Sequence, residues 1–264
     1  MTLIDAAILG LIQGMTEFLP VSSSGHLVIF QNLLGLQEPG ITLEVMLHLG
    51  TLFSVLWVFH KDFLGLFSFW KDSNQRHFLL LLITGLLVTA VLGLLVSNYV
   101  AIFFESTLLV GIMLLVTGGI LKLLTVLPIG AKTAKEMSYK DAFWVGLLQA
   151  FAVIPGISRS GTTILAAVWR GLDRETAIRY SFMLSAPLIF GASLLEMRDM
   201  LSAGLDNALL QNYIVGGLIA FLSGVVAIRL FIKILSGQKF YYFAYYCWGL
   251  GILVVTISLA RIIT

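Results

Sequence analysis

Long apolar blocks separated by short polar stretches run along most of the chain. Six of the blocks have about the 20 residues that a helix needs to cross a bilayer, so the hydropathy pattern predicts a spanning helix for each. They lie at roughly 42–59, 77–97, 106–127, 174–195, 211–234 and 241–262. The predicted fold class is therefore an all-α polytopic membrane protein, with residues 1–264 forming a single integral membrane domain.

Two further apolar stretches are interrupted by polar loops rich in Ser, Gly and Pro. Residues 2–34 are broken at 20–26, and residues 141–170 are broken at 155–161. Each stretch predicts a helix of about 15 residues, a loop and a shorter helix, and neither half is long enough to span. Such a pattern favours a re-entrant hairpin, whose loop must be buried in protein or line a cavity.

The two interrupted stretches resemble each other residue by residue. A shift of 136 positions gives seven identities, several of them polar, and we interpret them as an internal duplication. The identical residues of the first copy are Asp5, Gly10, Leu11, Gln13, Ser22, Ser24 and Gly25. Repeat one then covers about 1–127 and repeat two about 138–264, with a basic connection at about 128–140. Two unrelated apolar helices followed by Ser/Gly turns are the alternative.

The positions of the basic residues predict an orientation. Three spanning helices separate the two hairpins, so the repeats are expected to be inverted. Thirteen Lys and Arg residues then fall on one face: Lys61, Lys71, Arg76, Lys122, Lys132, Lys135, Lys140, Arg170, Arg174, Arg179, Arg229, Lys233 and Lys239. The other face receives Arg198 and Arg261, and Arg159 lies inside a hairpin. Because basic loops stay in the cytoplasm, the first hairpin and both termini are expected outside.

The composition limits the class of protein further. The chain is 59% hydrophobic and 11% charged, with a mean hydropathy of +0.99. Soluble domains carry about 25% charged residues, so a soluble enzyme, a nucleic-acid-binding module and a disordered chain are excluded. The single cysteine, Cys247, excludes an internal disulfide framework and a cysteine-pair metal site. Inverted repeats with broken helices place a polar site near the membrane midplane, where the two loops meet.

The first hairpin carries a carboxylate and a serine-rich loop. Gln13 and Glu17 are four residues apart and share one helix face. A carboxylate inside an apolar stretch indicates function, although a packing hydrogen bond is an alternative explanation of Glu17. The loop then offers hydroxyls, a flexible glycine and an imidazole, at Ser22, Ser23, Ser24, Gly25 and His26. The serines could instead cap the following helix.

The second hairpin carries a cation where the first has a hydroxyl. Arg159 aligns with Ser23 and is the basic residue of the two loops. Its planar guanidinium suits phosphate, and hydroxyls beside a helix N-terminus complete an anion cradle. These cradle residues are Ser158, Ser160, Gly161 and Thr163. A purely structural ion pair between Arg159 and Glu17 is the alternative, and both roles can coexist.

Two polar residues outside the hairpins also fit a cavity wall. Glu44 and His48 are four residues apart and therefore lie on one face of the first predicted spanning helix. Both are expected to line the cavity between the hairpins. For His48 an interhelical hydrogen bond explains the position equally well.

The two hairpin loops together resemble one known family. Residues 13–26 resemble a signature of the undecaprenyl-diphosphate phosphatases, which are the bacitracin-resistance proteins of bacterial envelopes. This signature is (Glu/Gln)-x-x-x-Glu followed by Ser, Gly and His residues. Residues 155–163 are similar to the Pro-Gly-x-Ser-Arg-Ser-x-x-Thr motif of the same family. The resemblance implies hydrolysis of undecaprenyl diphosphate to undecaprenyl phosphate and inorganic phosphate, which recycles the lipid carrier for cell-wall synthesis and confers bacitracin resistance. It further implies a polyprenyl diphosphate partner, a homodimer, and a site that opens to the outside of the bacterial inner membrane.

The resemblance also implies roles for the loop residues. Ser23 would attack the terminal phosphorus, and His26 would take its proton, with Glu17 as the alternative base. Glu17, and tentatively Gln13, would hold Mg²⁺ or Ca²⁺. The substrate would be bound by Arg159 together with Ser22, Ser24, Gly25, Ser158, Ser160, Gly161 and Thr163. Direct attack by water stays an alternative mechanism, and a polyprenyl-phosphate flippase using the same midplane site stays an alternative function.

Overall fold

The computed structural model describes residues 1–36, 40–203, 209–235 and 240–263, with the helix segments 40–41, 97–105, 198–203, 235 and 261–263 described by their backbone alone. Within these ranges the chain forms eleven helices and no extended strand. They are α1 Leu3–Phe18, α2 Ser23–Leu33, α3 Gly40–Val58, α4 His60–Leu66, α5 Ser73–Glu105, α6 Thr107–Val126, α7 Tyr139–Phe151, α8 Arg159–Trp169, α9 Arg174–Ala203, α10 Leu210–Leu235 and α11 Phe240–Ile263.

The predicted all-α membrane fold is confirmed. Five helices, α5, α6, α9, α10 and α11, are each long and apolar enough to cross a membrane by themselves. The sixth predicted span is α3, which continues into α4 after a bend of 78°. The short helix α4 was not predicted, because its seven residues mix charged and apolar side chains without a clear period.

Both predicted hairpins are helical pairs with a break, and polar caps fix where their helices begin. Thr2 and Asp5 form a reciprocal capping box at the start of α1, and Ser138 and Asp141 form the same box at α7. Ser22 caps α2 through the amide of Gly25, just as Ser158 caps the amide of the equivalent glycine in α8. The duplicated residues therefore perform the same local task in each copy.

The packing around the hairpins repeats as well. Helix α1 packs against α10, and its counterpart α7 packs against α5. A side chain at Gly10 would collide with the Gly216 carbonyl, and one at Gly146 would collide with the carbonyl of Gly85. Because both contacts bring backbone against backbone, glycine at the two aligned positions permits the close approach of the long hairpin helices.

An aromatic cluster holds the centre of the bundle together. The ring of Phe182 on α9 lies 5.8 Å from each of the rings of Phe18, Phe59 and Phe231. These four side chains come from α1, α9, α10 and the α3–α4 junction, and all are buried. The first hairpin is thereby fixed against helices of both repeats.

Charged contacts gather at one end of the bundle. Asp141 at the start of α7 is fully buried and accepts from Arg170 at 2.9 Å and from Lys132 at 3.3 Å. Arg179 on α9 pairs with Asp62 on α4. Lys132, Arg170 and Arg179 all belong to the face that the charge pattern assigned to the cytoplasm. Each of them forms an ion pair at this end of the bundle.

Candidate active site

The loops of the two hairpins meet inside the bundle. The Ser22 hydroxyl accepts a hydrogen bond from the Gly156 amide at 3.1 Å. Thr117 on α6 supports the second loop, because its hydroxyl donates to the Gly156 carbonyl at 2.7 Å and accepts from the Ser158 amide at 3.0 Å. Polar backbone at this depth is thus satisfied by protein, as an apolar surrounding requires.

A left-handed residue aims the first loop. Ser22 has φ +69°, and it is the only non-glycine residue with positive φ among the described residues. Such a conformation costs about 1–3 kcal/mol and persists only where contacts hold it. Here the Ser22 carbonyl accepts from the His26 amide at 3.2 Å, and the hydroxyl contacts Gly25 and Gly156. The next residue, Ser23, therefore starts α2 with its side chain directed at Glu17.

Glu17 is the centre of the polar contacts between the hairpins. One carboxylate oxygen accepts from Nη2 of Arg159 at 2.6 Å, and the other accepts from Nε2 of Gln13 at 3.0 Å and from the Ser23 hydroxyl. Carboxylate, hydroxyl and guanidinium therefore share one point, although 142 residues separate Glu17 from Arg159. The predicted ion pair is present, and Ser23 is part of the same group.

Burial strengthens the attraction between the charges of Glu17 and Arg159. The side chains of Glu17 and Arg159 are only 6% and 13% exposed. Opposite charges attract far more strongly in such surroundings than in water. Nη1 of Arg159 has no hydrogen-bond partner within the described part of the chain, and the same holds for Oε1 of Gln13. The guanidinium consequently has a buried N–H group that lacks an acceptor among the described residues, and a phosphate oxygen can supply one.

His26 does not serve Ser23 in this structure. Its Nδ1 lies 2.7 Å from the Ser22 carbonyl, and its Nε2 lies 2.7 Å from the hydroxyl of Tyr246, on which the imidazole stacks. A carbonyl only accepts, so Nδ1 carries the proton and Nε2 accepts from Tyr246. The expected proton transfer from Ser23 to His26 is not supported by a hydrogen bond between these residues. The alternative proton acceptor, Glu17, does accept a hydrogen bond from the Ser23 hydroxyl.

A cavity of about 290 Å³ opens beside Glu17, Ser23 and Arg159. Ser22, Ser24 and Ser158 of the hairpins also lie on its wall. Glu44 and His48 of α3 also line it; Glu44 accepts from Gln31 at 3.2 Å, and His48 bonds back to the Glu44 carbonyl at 2.9 Å. The site is thus built by both hairpins and by α3, with α9 closing the far side.

Four residues expected to bind substrate lie behind the cavity wall instead. Ser160 donates to the Leu19 carbonyl at 3.3 Å, and Thr163 shares a hydrogen bond of 2.5 Å with Ser181 on α9. Gly25 packs against Gly156, and Gly161 receives the cap of Ser158. Their surroundings support the loops, and a substrate in the cavity reaches Ser158 and Arg159 before it reaches any of them.

Gln149 is a cavity residue that the sequence reasoning missed. Its Nε2 donates to the Thr89 hydroxyl at 2.9 Å, while its Oε1 has no partner among the described atoms. Gln149 aligns with Gln13 when the first hairpin is shifted by 136 positions, and this alignment is the sequence feature that could have identified it. Glu196 of α9 also lines the cavity and is a second residue that was not foreseen.

The donor set limits which cation the site suits. No group of three His, Cys, Asp or Glu side chains with metal-binding geometry occurs among the described residues. Glu17 and the unpartnered Oε1 of Gln13 provide hard oxygen ligands, which suit Mg²⁺ or Ca²⁺ rather than Zn²⁺. Because Gln13 is fully buried and lies off the cavity wall, Glu17 together with phosphate oxygens fits such an ion better than an all-protein cage.

A larger cavity lies away from these groups. It measures about 930 Å³ and runs between α3 and α10, on the side of α3 that faces away from Glu44 and His48. Its wall is apolar except for His60 and Arg229. It contributes no group to the site around Ser23.

Comparison with known proteins agrees over nearly the whole chain. The family model described as "Bacitracin resistance protein BacA" matches residues 6–253. A protein named undecaprenyl-diphosphatase from Halothermothrix orenii is 46% identical over 258 residues, covering 98% of this chain and 99% of the relative. Proteins from Alkaliphilus metalliredigens (undecaprenyl-diphosphatase) and Bacillus cereus (undecaprenyl-diphosphatase 3) are 43% and 41% identical, covering 98% and 99% of this chain and 100% of each relative.

Proposed function

The chain belongs to the bacitracin resistance protein BacA family, and from this membership we propose that it is a multi-pass membrane enzyme that hydrolyses undecaprenyl diphosphate. The products are undecaprenyl phosphate and inorganic phosphate, so the enzyme recycles the lipid carrier of cell-wall synthesis and contributes to bacitracin resistance. The convergence of Glu17, Ser23 and Arg159 in one cavity carries the proposal, because these groups can activate a nucleophile and bind a phosphate.

The substrate is held by the second hairpin. Nη1 of Arg159, which has no acceptor among the described residues, donates to the terminal phosphate, and Ser158 and the first amides of α8 add donors at a helix N-terminus. When phosphate enters, it replaces part of the ion pair between Arg159 and Glu17. This exchange frees Glu17 to act on Ser23.

Ser23 then attacks the terminal phosphorus. Its proton passes to Glu17, the bond between phosphorus and the bridging oxygen breaks, and undecaprenyl phosphate leaves with that oxygen. Glu17 passes this proton to the departing undecaprenyl phosphate or to water and is free again. A water molecule next attacks the phosphoserine while Glu17 takes one of its protons. Glu17 returns that proton to the Ser23 oxygen as the bond between phosphorus and this oxygen breaks, which releases inorganic phosphate and restores the Ser23 hydroxyl. In the alternative mechanism, water attacks directly and Ser23 only donates a hydrogen bond.

A divalent cation completes the proposal. Glu17, with Gln13 behind it, would hold Mg²⁺ or Ca²⁺, which when bound supplies positive charge against the charge that develops on phosphate. The residues around it keep their own tasks: Gln13 orients the Glu17 carboxylate, and Arg159 binds the phosphate.

The setting in the membrane is also a proposal. The basic end of the bundle lies in the cytoplasm and both termini lie outside, because Lys and Arg gather on one face of the predicted topology. The membrane is the bacterial inner membrane, and the enzyme acts there as a homodimer with its cavity open to the outside.

The test is release of inorganic phosphate from undecaprenyl diphosphate by the purified protein. We expect multiple turnovers that stop with a chelator and resume with Mg²⁺ or Ca²⁺. The same protein in vesicles, supplied with labelled undecaprenyl phosphate, tests lipid transfer between leaflets. Transfer without phosphate release would overturn the proposed hydrolysis.

A further inference from the structure

A second cavity lies beside the polar one, and α3 and α9 line both of them. It measures about 330 Å³ and lies between α3, α4, α5 and α9, and all of its lining side chains are apolar. Leu52 and Leu56 form its α3 side, and Ile83 is on its α5 side. Met183 and Pro187 form part of its α9 side. We call this cavity the apolar groove.

The groove and the polar cavity share helix faces. On α3, the polar cavity is lined at Glu44 and His48, and the groove begins at Leu52 and Leu56, each four residues further on. Residues spaced by four lie close together on a helix surface, so the face that carries His48 becomes apolar at Leu52, and Leu56 lies at the edge of this face. From His48 to Leu56 the helix rises about 12 Å.

Helix α9 also lines both cavities. Ile189, Ala192 and Glu196 line the polar cavity, while Met183, Pro187 and Phe190 line the groove, so the two linings overlap by about one turn. The two helices that close the polar cavity therefore also form the walls of the groove. A molecule bound by its phosphate at Arg159 meets the groove next along this seam.

The groove has a buried floor and an open side. Leu52 is 5% exposed and Met183 is fully buried, so they form the floor. Leu56, Ile83 and Phe190 are 36%, 41% and 52% exposed and form the rim. A chain lying in the groove would contact the floor along its length and could enter sideways from the surrounding lipid.

We propose that the apolar groove binds the first isoprene units of the polyprenyl chain and so makes this enzyme sensitive to chain length. The inference rests on the proposed function, since it follows a substrate whose diphosphate sits beside Arg159. The two cavities adjoin along α3 and α9, which favours this occupant over an unattached lipid, because the diphosphate would anchor a molecule whose chain leaves the polar cavity along these helices.

The groove would contribute to substrate binding through van der Waals contacts and by fixing the position of the polyprenyl chain, and not through the hydrophobic effect. Lipid tails are as apolar as the groove, so the chain gains little by leaving them. Packing against a fixed wall instead orients the diphosphate relative to Ser23 and Arg159. A defect in the groove should therefore act on long-chain substrates and spare a substrate too short to reach it.

The experiment compares substrates of increasing chain length. The purified wild-type enzyme and the variants Leu56→Trp and Ile83→Trp are given dimethylallyl, geranyl, farnesyl and undecaprenyl diphosphate, and kcat/KM is measured for each. The matched control is Leu87→Trp, on the same helix as Ile83, lipid-exposed at 58% and outside the groove lining. All proteins are checked for an unchanged elution volume and melting temperature.

Wild type and Leu87→Trp should show kcat/KM rising with chain length until the groove is filled. The two groove variants should lose about tenfold in kcat/KM on the long substrates and keep wild-type values on dimethylallyl diphosphate. An unchanged chain-length dependence in the groove variants, or an equal loss in Leu87→Trp, would overturn the groove proposal alone. Absence of phosphate release by wild type from every substrate would overturn the proposed function itself.

Discussion

Nη2 of Arg159 lies 2.6 Å from a carboxylate oxygen of Glu17, and this contact joins the two hairpins. In the proposed mechanism, a phosphate replaces part of this ion pair. Because the same carboxylate accepts a hydrogen bond from the Ser23 hydroxyl, the pair would link substrate binding to activation of the nucleophile.

Removing the charge of Glu17 while keeping its shape should stop catalysis. We expect Glu17→Gln to lower phosphate release from undecaprenyl diphosphate by about 10²–10⁴-fold, because an amide cannot take the Ser23 proton. Glu136→Gln is the matched control, since Glu136 is exposed and bonds only to Thr133 among the described contacts. Near-normal turnover of Glu17→Gln would remove Glu17 from the site.

The role of Ser23 is separable from that of its neighbour. If Ser23 is the nucleophile, Ser23→Ala should lose about 10³-fold or more in kcat, and acid quenching of the wild type should trap phosphate on Ser23, visible by mass spectrometry. Ser24→Ala should lose much less, because Ser24 contacts the Ser22 hydroxyl at 3.3 Å and not Glu17. Substantial turnover by Ser23→Ala would favour direct attack by water.

His26 should act as a positioning residue. Tyr246→Phe removes the hydrogen bond to Nε2 and should lower kcat several-fold, by the roughly 1 kcal/mol of such a bond, with little change in KM. His26→Gln should lower kcat further, because Ser22 then loses support for its left-handed backbone. If Glu17 is the base, the acidic limb of the pH profile of kcat/KM should persist in both variants. Its disappearance in His26→Gln would make His26 the base after all.

Asp141 should contribute to the stability of the fold through its charge, whereas Asp5, at the aligned position of the first hairpin, should not. Burial alone would raise the pKa of Asp141, but hydrogen bonds from Ser138 and Arg170 and the charge of Lys132 outweigh it and hold this pKa below its usual range. A lowered folded-state pKa gives stability that is present above the unfolded pKa and lost as pH falls through the folded one.

Asp141→Asn should accordingly lower the melting temperature in detergent at pH 7, because it leaves two cations without their buried partner. The difference from wild type should shrink at acidic pH. Asp5→Asn, at the aligned position, touches only its capping residue Thr2 and should melt close to wild type. Equal melting of the two variants would show that the Asp141 contacts contribute nothing.

The proposed orientation is open to cysteine labelling. Cys247 is buried, so the native protein should not react with a membrane-impermeant maleimide in intact cells. Thr2→Cys should be labelled from outside, whereas Lys135→Cys should be labelled only after the cells are permeabilised. Both positions are exposed in the fold. The reverse pattern would invert the topology, with the cavity opening to the cytoplasm.

The sequence by itself determined the spanning helices and the two interrupted hairpins, and it shows the resemblance between the hairpins from which we predict a duplication. These features follow from local rules, because the length of an apolar block and a break by Pro and Gly are visible within some 30 residues. The residue types of the site were visible for a related reason: Glu17 and Arg159 are charges in apolar surroundings, and such charges are rarely accidental.

Only the tertiary structure decided which side chains of the site form hydrogen bonds with one another. Spacing of three residues suggested His26 as the partner of Ser23, but the left-handed backbone of Ser22 turns Ser23 to Glu17 and leaves His26 to Tyr246. Tyr246 is 220 residues away from His26, and no local pattern encodes a contact of that range. The apolar groove depends in the same way on four helices that only folding brings together, so its presence beside the polar cavity could not be predicted from the chain.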